Sequence, residues 1–432
     1  MDRSLWAVIV GTFTLRFSTG LTGVLLAIYL GDLPGHGGPE VGAIVVALFH
    51  ATFYVAELVL SPFFGILSDR WGHHRVMQLG PIFGGVAVVL TYLTTNLAVL
   101  GGTRWLEGAS TAASVPSILG YLALATAYDE ALRGRASARF EAATLAGLGM
   151  GFVVGPLLYQ AIGPLAFLLN AGIYAVSLAI YRFGVADPSP TELAATPSAR
   201  HYGLGRYLEL VTSSHVWLLA PTWIAINAAI GLWFSQSVFQ FARADPRFPE
   251  QLLHQGFSLT LISVGAAVIG VVFMAGLVYW GDRFRTLRRT TIIFYGILGG
   301  AALGAAALVV NHSTGAPVVV PLAAGLAAAF GLFVLAGATP AAVGLLADIS
   351  ESYPTDRGAI MGLYSVFLAL GQIGGSFLGG VAAEWRGIDG LLIGTLVLLG
   401  GALVPLRRLR SVEHEVLAAP DHAWMRAEEP LD

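Results

Sequence analysis

Arg16, Glu57, Arg104 and Glu107 are four ionisable residues that lie inside apolar runs, all in the first quarter of the 432-residue chain. A charge at the centre of a bilayer costs at least about 2.5–3.5 kcal/mol, so each needs a reason to be there. Two arginines and two glutamates sum to zero, and pairing across the first, second and fourth runs is expected. The chemistry open to such pairs is proton exchange. An arginine keeps a nearby buried carboxylate ionised, while desolvation favours its protonated form. A pair that separates and re-forms can therefore load and release a proton. Counted along a helix, Arg16, Glu57 and Glu107 each lie about 15–16 Å from the end of their run, with Arg104 about one turn from Glu107.

The second run carries a further pattern. His50, Tyr54, Glu57 and Ser61 recur at helical spacing and share one face. A polar face on a membrane helix looks into protein or water, not lipid. It is either a hydrogen-bonded packing seam or the wall of a cavity and proton path. Later runs offer Asn227, Gln236, Gln240, Tyr364 and Gln372, with Trp223, Trp233 and Phe234 among them. Those aromatics face either a cavity or lipid. Runs eight to ten hold no ionisable side chain, and an apolar wall with few polar fixtures suits lipophilic ligands better than sugars. The substrate-cavity candidates are His50, Tyr54, Asn227, Trp233, Gln236, Tyr364 and Gln372.

The elements that must position these residues follow from composition. Hydrophobic residues make up 56% of the chain and charged ones 11%, with mean hydropathy +0.74. Soluble domains carry about 25% charged residues, which excludes a water-soluble fold. There is no cysteine, so disulfides and thiolate chemistry are excluded, and all 23 basic residues are arginine. Neither a phosphate-loop nor a zinc-site motif is present, so no cofactor or metal is expected, and the dispersed arginines form no nucleic-acid patch.

Spanning the hydrocarbon core takes about 20 apolar residues. Twelve runs qualify: 5–30, 41–67, 76–93, 97–125, 136–162, 165–183, 216–241, 257–279, 290–310, 318–346, 359–383 and 391–406. The first is too long for a signal-peptide core and reads as a span. Period-2 alternation is absent, so strands are excluded. With the N-terminus inside, 18 arginines fall inside and three outside, namely Arg243, Arg247 and Arg386. That asymmetry predicts cytoplasmic termini in a multi-pass protein of the cell membrane. The expected organisation is a six-helix bundle over 1–185, a proline-containing cytoplasmic linker over 186–214, a second bundle over 215–411, and a solvated cytoplasmic tail over 412–432.

The two halves repeat. Arg133, Gly134, Gly147, Gly151 and Gly155 are each followed 224 residues later by Arg357, Gly358, Gly371, Gly375 and Gly379. Asp69-Arg70 has a counterpart in Asp282-Arg283. Glycines four apart let membrane helices approach closely.

Between the second and third runs stands Gly65-Ile66-Leu67-Ser68-Asp69-Arg70-Trp71-Gly72-His73-His74-Arg75. Gly65, Asp69, Arg70, Gly72 and Arg75 resemble the helix 2–3 loop of the major facilitator superfamily, Gly-x-Leu-x-Asp-Arg-x-Gly-x-x-Arg. Two further stretches resemble the drug/proton antiporter branch. Gly147, Gly151, Gly155 and Pro156 resemble its span 5 Gly-Pro motif, although Leu157-Leu158 stands where that motif has a glycine pair. Arg104-x-x-Glu107-Gly108 resembles the Arg-x-x-x-Gly of span 4.

The resemblance covers roughly residues 5–406. It implies an all-α polytopic membrane fold of twelve helices in two pseudo-symmetric six-helix bundles. The implied activity is non-enzymatic alternating-access transport around a midplane site. It further implies that Asp69, Arg70 and Arg75 form a charge cluster that favours one conformational state. The favoured function is proton-coupled efflux of lipophilic small molecules, with Glu57, Glu107, Arg104 and Arg16 as coupling residues. A lipid or nutrient transporter or a uniporter of the same fold stays open, as does a non-transporting receptor or scaffold. The partners expected are a small-molecule substrate, protons and the bilayer, without nucleic acid, for a protein acting as a monomer.

Overall fold

The computed structural model describes residues 3–126, 130–186, 216–283, 286–351 and 357–417. The linker and tail expected over 186–214 and 412–432 lie largely outside these. Long helices supply almost all of what is described, and the only strand-like pairing there is an isolated bridge between Ala244 and Gln255.

The first half contains span 1 (Arg3–Asp32), span 2 (Ala43–Trp71) and span 3, a short helix His73–Met77 that continues into Leu79–Tyr92. Span 4 (Leu97–Ala125), span 5 (Glu130–Ile162) and span 6 (Leu165–Gly184) complete it. The second half contains span 7 (Val216–Ala242), span 8 (Leu259–Asp282), span 9 (Arg289–Asn311) and span 10, built from Val319–Leu335 and Ala338–Glu351. A final helix, Arg357–Leu417, carries spans 11 and 12. At 1.5 Å per residue it runs about 90 Å, three times the hydrocarbon thickness, so it must turn back. It does so at Arg386 and Gly387, and the positive φ of Gly387 (56°) needs a residue without Cβ.

Three boundaries differ from the sequence expectation. Spans 11 and 12 are two helices joined through only the non-helical residues Arg386 and Gly387, and the helix of span 12 runs on to Leu417. Span 5 starts at Glu130, because polar residues 130–135 continue the helix below the apolar run. Span 10 is broken at Ala336–Gly337, where Pro340 lacks the N–H that would bond back one turn. Trp280 Nε1 of span 8 donates to the Phe333 carbonyl there, at 3.1 Å.

Successive spans run in opposite directions. One face of the molecule carries Arg3, the 71–75 turn and Arg283, and is called the terminal face. The far face carries 33–42, 243–258, 311–318 and Gly387. Spans 8 and 10 are the most apolar helices and the least buried. Val271, Leu326 and Phe330 stand about two-thirds exposed on them. In lipid, helices that satisfy their own backbone can present such faces without penalty.

The glycine repeat becomes a packing repeat. Gly147 abuts the Phe13 carbonyl and Arg16 Cβ, Gly151 abuts Phe17 and Leu21, and Gly155 abuts Val24, so span 5 lies backbone-close on span 1. In the second half Gly371 abuts Asn227 and Ile224, Gly375 abuts Ala228, and Gly379 abuts Leu232, laying span 11 on span 7. A side chain at these positions would strike backbone, or at Gly155 the Val24 side chain, and force the helices apart. Each half also closes its own apolar core, around Leu21, Leu25, Phe167 and Tyr174 in the first and Trp223, Ile292, Leu345 and Leu399 in the second.

The halves are joined toward the far face. Gln236 Nε2 donates to the Ala43 carbonyl (3.0 Å) and Arg243 Nη1 to the Val41 carbonyl (3.2 Å). Thr260 Oγ1 donates to Gln160 Oε1 (2.8 Å), and Ser263 Oγ donates to the Val153 carbonyl. Gly380 of span 11 presses on Ala43 and Ala47 of span 2. These contacts hold the two halves together on the far side.

Candidate functional site

The expected pairing across spans 1, 2 and 4 resolves into two separate groups. Arg104 and Glu107 pair with each other within span 4, as residues one turn apart can, and both are buried. Breaking such a pair by removing one partner costs about 3–5 kcal/mol, since it strands a buried charge.

Arg16 belongs to the other group. It is the cation whose field acts on Glu57 of span 2 and on Glu141 of span 5. Tyr54 feels both Glu57 and Arg16. Span 1 brings Arg16 against Gly147, and Glu141 stands about two turns below Gly147 on the same span. Glu141 falls on the helical face that also carries Phe152, whose ring packs on Phe234 of span 7 at 5.5 Å between centroids. That face looks toward the second half. Glu141 is exposed, while Arg16, Tyr54 and Glu57 are half-buried. Arg16 and Glu57 lie about 20 Å in from their helix ends, while Glu141, six residues before Gly147, lies about 9 Å nearer the terminal face than Arg16. Two carboxylates around one guanidinium carry a formal charge of −1.

Glu141 is the residue that sequence reasoning passes over. It lies five residues into the apolar run that begins at 136, and nothing in its spacing shows that it comes within the field of Arg16. The available signal is the absence of any proline between 130 and 140, which lets the helix extend.

His50 sits one level nearer the far face, facing Gln372 of span 11 and within the field of Arg104. His50 Nε2 and Gln372 Oε1 are buried without a hydrogen-bond partner. A cavity of about 30 Å³ adjoins His50, lined also by Arg104, Phe234 and Ser235 among others. Such a space holds about two waters, which would satisfy these atoms.

Asn227, Trp233 and Gln236 are not brought to the Arg16 group. Asn227 Nδ2 donates to the Trp223 carbonyl (2.9 Å) beside Gly371. Trp233 Nε1 donates to Thr395 Oγ1 of span 12 (2.8 Å), and Gln236 is committed to the Ala43 carbonyl. Phe234 and Ser235, their neighbours on span 7, line the small cavity instead. The side chain of Tyr364 lies outside the described residues.

In the 65–75 turn, Gly72 adopts φ 92°, so the chain can reverse into span 3. Ser68 Oγ donates to the Gly65 carbonyl (2.8 Å), and His73 Nδ1 meets Ser68 Oγ at 3.1 Å. Asp69 lies 3.8 Å from His73 Nε2, and the His74 ring reaches the Tyr181 carbonyl at 3.0 Å. Arg70 and Arg75 are exposed on the terminal face. The two histidines anchor the turn, a role that no spacing pattern in the sequence announces.

The far-face loop is held by charge and amide bonds. Arg247 donates to Asp245 (2.8 Å) and Glu384 (3.1 Å), and its hydrogen bonds hold the Asp245 carboxyl below its ordinary range while Arg247 itself is raised. Gln251 donates to the Arg386 carbonyl (2.9 Å) and accepts from Ile388 N–H (2.9 Å). His254 is buried against Phe248, and that burial lowers its proton affinity. Asp389 accepts from Asn311 (2.8 Å) and pairs with His312 (2.9 Å).

Comparison with known proteins places this geometry. Quinolone resistance protein NorA of Staphylococcus aureus (strain MSSA476) is 22% identical over 288 residues, 66% of this chain and 68% of that protein. Multidrug resistance protein 2 of Bacillus subtilis (strain 168) is 26% identical over 341 residues, 77% of this chain and 78% of that protein. Among solved structures, the nucleoside transporter NupG superposes with TM-score 0.72 at 13% identity, over 96% of this chain and 99% of that one. A bacterial homolog of the human lysosomal transporter Spinster, inward-facing and unoccupied, gives TM-score 0.66 at 11% identity, over 97% of each chain. At such identities the structures speak for the fold alone. The family model of the Major Facilitator Superfamily matches residues 8–335. With that match over most of its length and twelve helices in two six-helix halves, the chain belongs to the major facilitator superfamily and is a multi-pass membrane transporter.

Proposed function

We propose that this transporter exports lipophilic small molecules in exchange for protons, with both termini in the cytoplasm. The observation that carries this reading is that one cation of span 1, Arg16, acts on two carboxylates from different spans, Glu57 and Glu141. With both acids ionised the group holds one uncompensated negative charge in a poorly solvated place, which favours taking up a proton. Rocking of the halves alters the water that reaches it, and so the proton's affinity. Substrate and proton stabilise different states, so their binding is thermodynamically linked. The apolar span 7 wall around Phe234 suits lipophilic substrates, in keeping with the names of the quinolone- and multidrug-resistance relatives. Arg104–Glu107, closed off within span 4, is assigned to holding that helix and to the field around His50. Asp69, Arg70 and Arg75 are assigned to the balance between states.

The test is reconstituted flux. Purified protein in liposomes, given an imposed pH gradient, should drive a quinolone or a lipophilic dye against its concentration. Glu57→Gln and Glu141→Gln, each checked for folding by size-exclusion profile, should lose the response to the gradient while keeping downhill flux. If both variants respond as the wild type does, a uniporter of the same fold is the better reading. If the wild type moves none of the probes, export of this substrate class is wrong. The orientation is tested separately in the cysteine-free chain. His36→Cys should react with an impermeant reagent outside intact cells, and Thr286→Cys should not.

A further inference from the structure

His50, Tyr54 and Glu57 form a row on one face of span 2. Glu57 belongs to the Arg16 group, and His50 stands seven residues, about 10 Å, nearer the far face. The rings of His50 and Tyr54 lie 5.2 Å apart between centroids, and Tyr54 is within the fields of Glu57 and Arg16. The far-face end of this row opens on the small cavity, where Leu26 and Leu30 of span 1 and Phe234 and Ser235 of span 7 surround the imidazole. Of the residues lining it, His50 and Arg104 alone are ionisable. Arg104 brings with it Glu107, its partner in span 4.

Span 11 supplies the remaining neighbour, Gln372, which breaks the packing repeat. Gly231 of span 7 abuts the Gln372 backbone as Gly20 of span 1 abuts that of Leu148, and the two residues are 224 apart. Packing at this contact is therefore served by leucine, and the amide answers another need. Its Oε1 is pressed against Gly231, buried without a partner, and Gln372 faces His50, whose Nε2 is also buried without one. Gly380 presses on Ala47, so Gln372, about two turns back on span 11, lies beside the turn from His50 to Tyr54. A buried amide oxygen is costly to leave unpaired. An imidazolium donates from both ring nitrogens, so a protonated His50 can give one N–H to Gln372 Oε1 and the other to water in the cavity.

We infer that His50 carries the exchanged proton between the far face and Glu57, with Gln372 positioning its ring and Tyr54 bridging the last step. This relay rests on the proton exchange proposed above. A proton arriving through cavity water forms an N–H bond on the imidazole. That bond breaks as the Tyr54 hydroxyl, directly or through water, accepts the proton and passes its own to the Glu57 carboxylate. Ring and phenol end unchanged, and the carboxylate ends neutral. Histidine suits this task because its ordinary titration range spans the pH values that the two sides of a membrane present.

The test uses the purified full-length protein in liposomes. Flux driven by a pH gradient is expressed relative to downhill flux of the same preparation. His50→Gln, which stays polar but binds no proton, should lower gradient-driven flux about 100-fold, the lower end for a positioned proton carrier. His50→Gly widens the cavity by one ring. Added imidazole should restore flux to it, and pyrazole, of the same shape but far less basic, should not. An internal pH dye keeps the gradient equal in all samples. Gln372→Leu, which installs the residue of the other half, should lower flux about fivefold, the effect of one hydrogen bond. Gradient-driven flux in His50→Gln like that of the wild type would overturn the inference and leave exchange at Glu57 standing. Rescue by pyrazole equal to that by imidazole would also overturn it, since the ring would then serve packing alone. A wild type that ignores the gradient would instead sink the exchange reading, and the relay with it. Should the His50 variants not fold, Gln372→Leu decides, and unaltered flux in it would overturn the relay.

Discussion

The two halves share a packing plan and divide the chemistry. Span 5 lies on span 1 through Gly147, Gly151 and Gly155 as span 11 lies on span 7 through Gly371, Gly375 and Gly379. Yet the mid-membrane charges among the described residues all belong to the first half, Arg16, Glu57, Arg104 and Glu107, with Glu141 nearer the terminal face. The repeat position of Glu141 in span 11 is Ser365. The second half instead supplies apolar wall and the polar clamp of the far face, built on Gln251, His254, Asp389 and Arg247. Duplication preserved what packing requires at the backbone and left side chains free to specialise. On the function proposed above, one half carries the titrating group and the other presents the surface that opens and closes over it.

The sharpest way to break this division is Arg16→Gln. It leaves two carboxylates without their cation, each worth about 2.5–3.5 kcal/mol at such depth, so gradient-driven flux should fall about 100-fold. Flux assays in liposomes check this, and a variant within threefold of wild type would separate Arg16 from coupling. Moving the acid across the repeat sharpens the point. Glu141→Gln combined with Ser365→Glu should stay uncoupled, because no cation in the second half answers Arg16. Recovery of the gradient response would show that the halves are interchangeable.

The shared plan predicts matched damage. Gly147→Leu and Gly371→Leu should each destabilise by about 1–3 kcal/mol through overpacking, read as lowered melting temperatures. Gly147→Leu should in addition lose flux, since the new side chain displaces Arg16. A smaller effect is expected at the 65–75 turn. Asp69→Asn should slow flux about fivefold, the scale of a modest shift between states, with melting unchanged. Wild-type flux in that variant would reduce the turn to a topological signal.

The smallest effect concerns the far-face clamp and pH. Burial lowers the proton affinity of His254, opposed by Asp245 and reinforced by Arg247 and Arg243. Once the loop opens, His254 returns to its ordinary range near about 6.5. Below that pH the open loop therefore binds a proton that the closed loop refuses, so closure weakens on acidification. Asp245, held low by Arg247, stays ionised throughout this window. Hydrogen exchange in residues 243–258, corrected for its intrinsic pH dependence, should be about twofold faster at pH 5.5 than at pH 7.5. His254→Gln should remove the difference.

What the sequence makes legible is set by periodicity and cost. Twelve crossings are readable because an uncapped apolar run of about 20 residues has few other uses. Arg16 and Glu57 stand out because lipid makes a charge expensive. The i, i+3 spacing of Arg104 and Glu107 also permits the intrahelical pair that the fold contains. Glu141 is hard to see, because its nearness to Arg16 comes from the packing of span 5 on span 1, which no local spacing announces. The bond from Trp233 to Thr395, 162 residues away, leaves no trace at short range. Nor does the clamp of Gln251 on Arg386 and Ile388, which only the folded chain assembles.

Spans 11 and 12 meet at Gly387 without a connecting loop, and the consequence is mechanical. A loop between helices absorbs errors in length and phase, whereas a rigid corner transmits them. Each residue added to a helix turns everything beyond it by about 100° and shifts it by 1.5 Å. One extra residue at position 386 would swing Asp389 away from Asn311 and His312 and turn Thr395 out of reach of Trp233. The same corner makes spans 11 and 12 act as a crank: tilting span 11 at the terminal face must move span 12 with no slack. This hairpin should therefore be the stretch of the chain least tolerant of insertions, although it lies at the surface, where chains usually accept them.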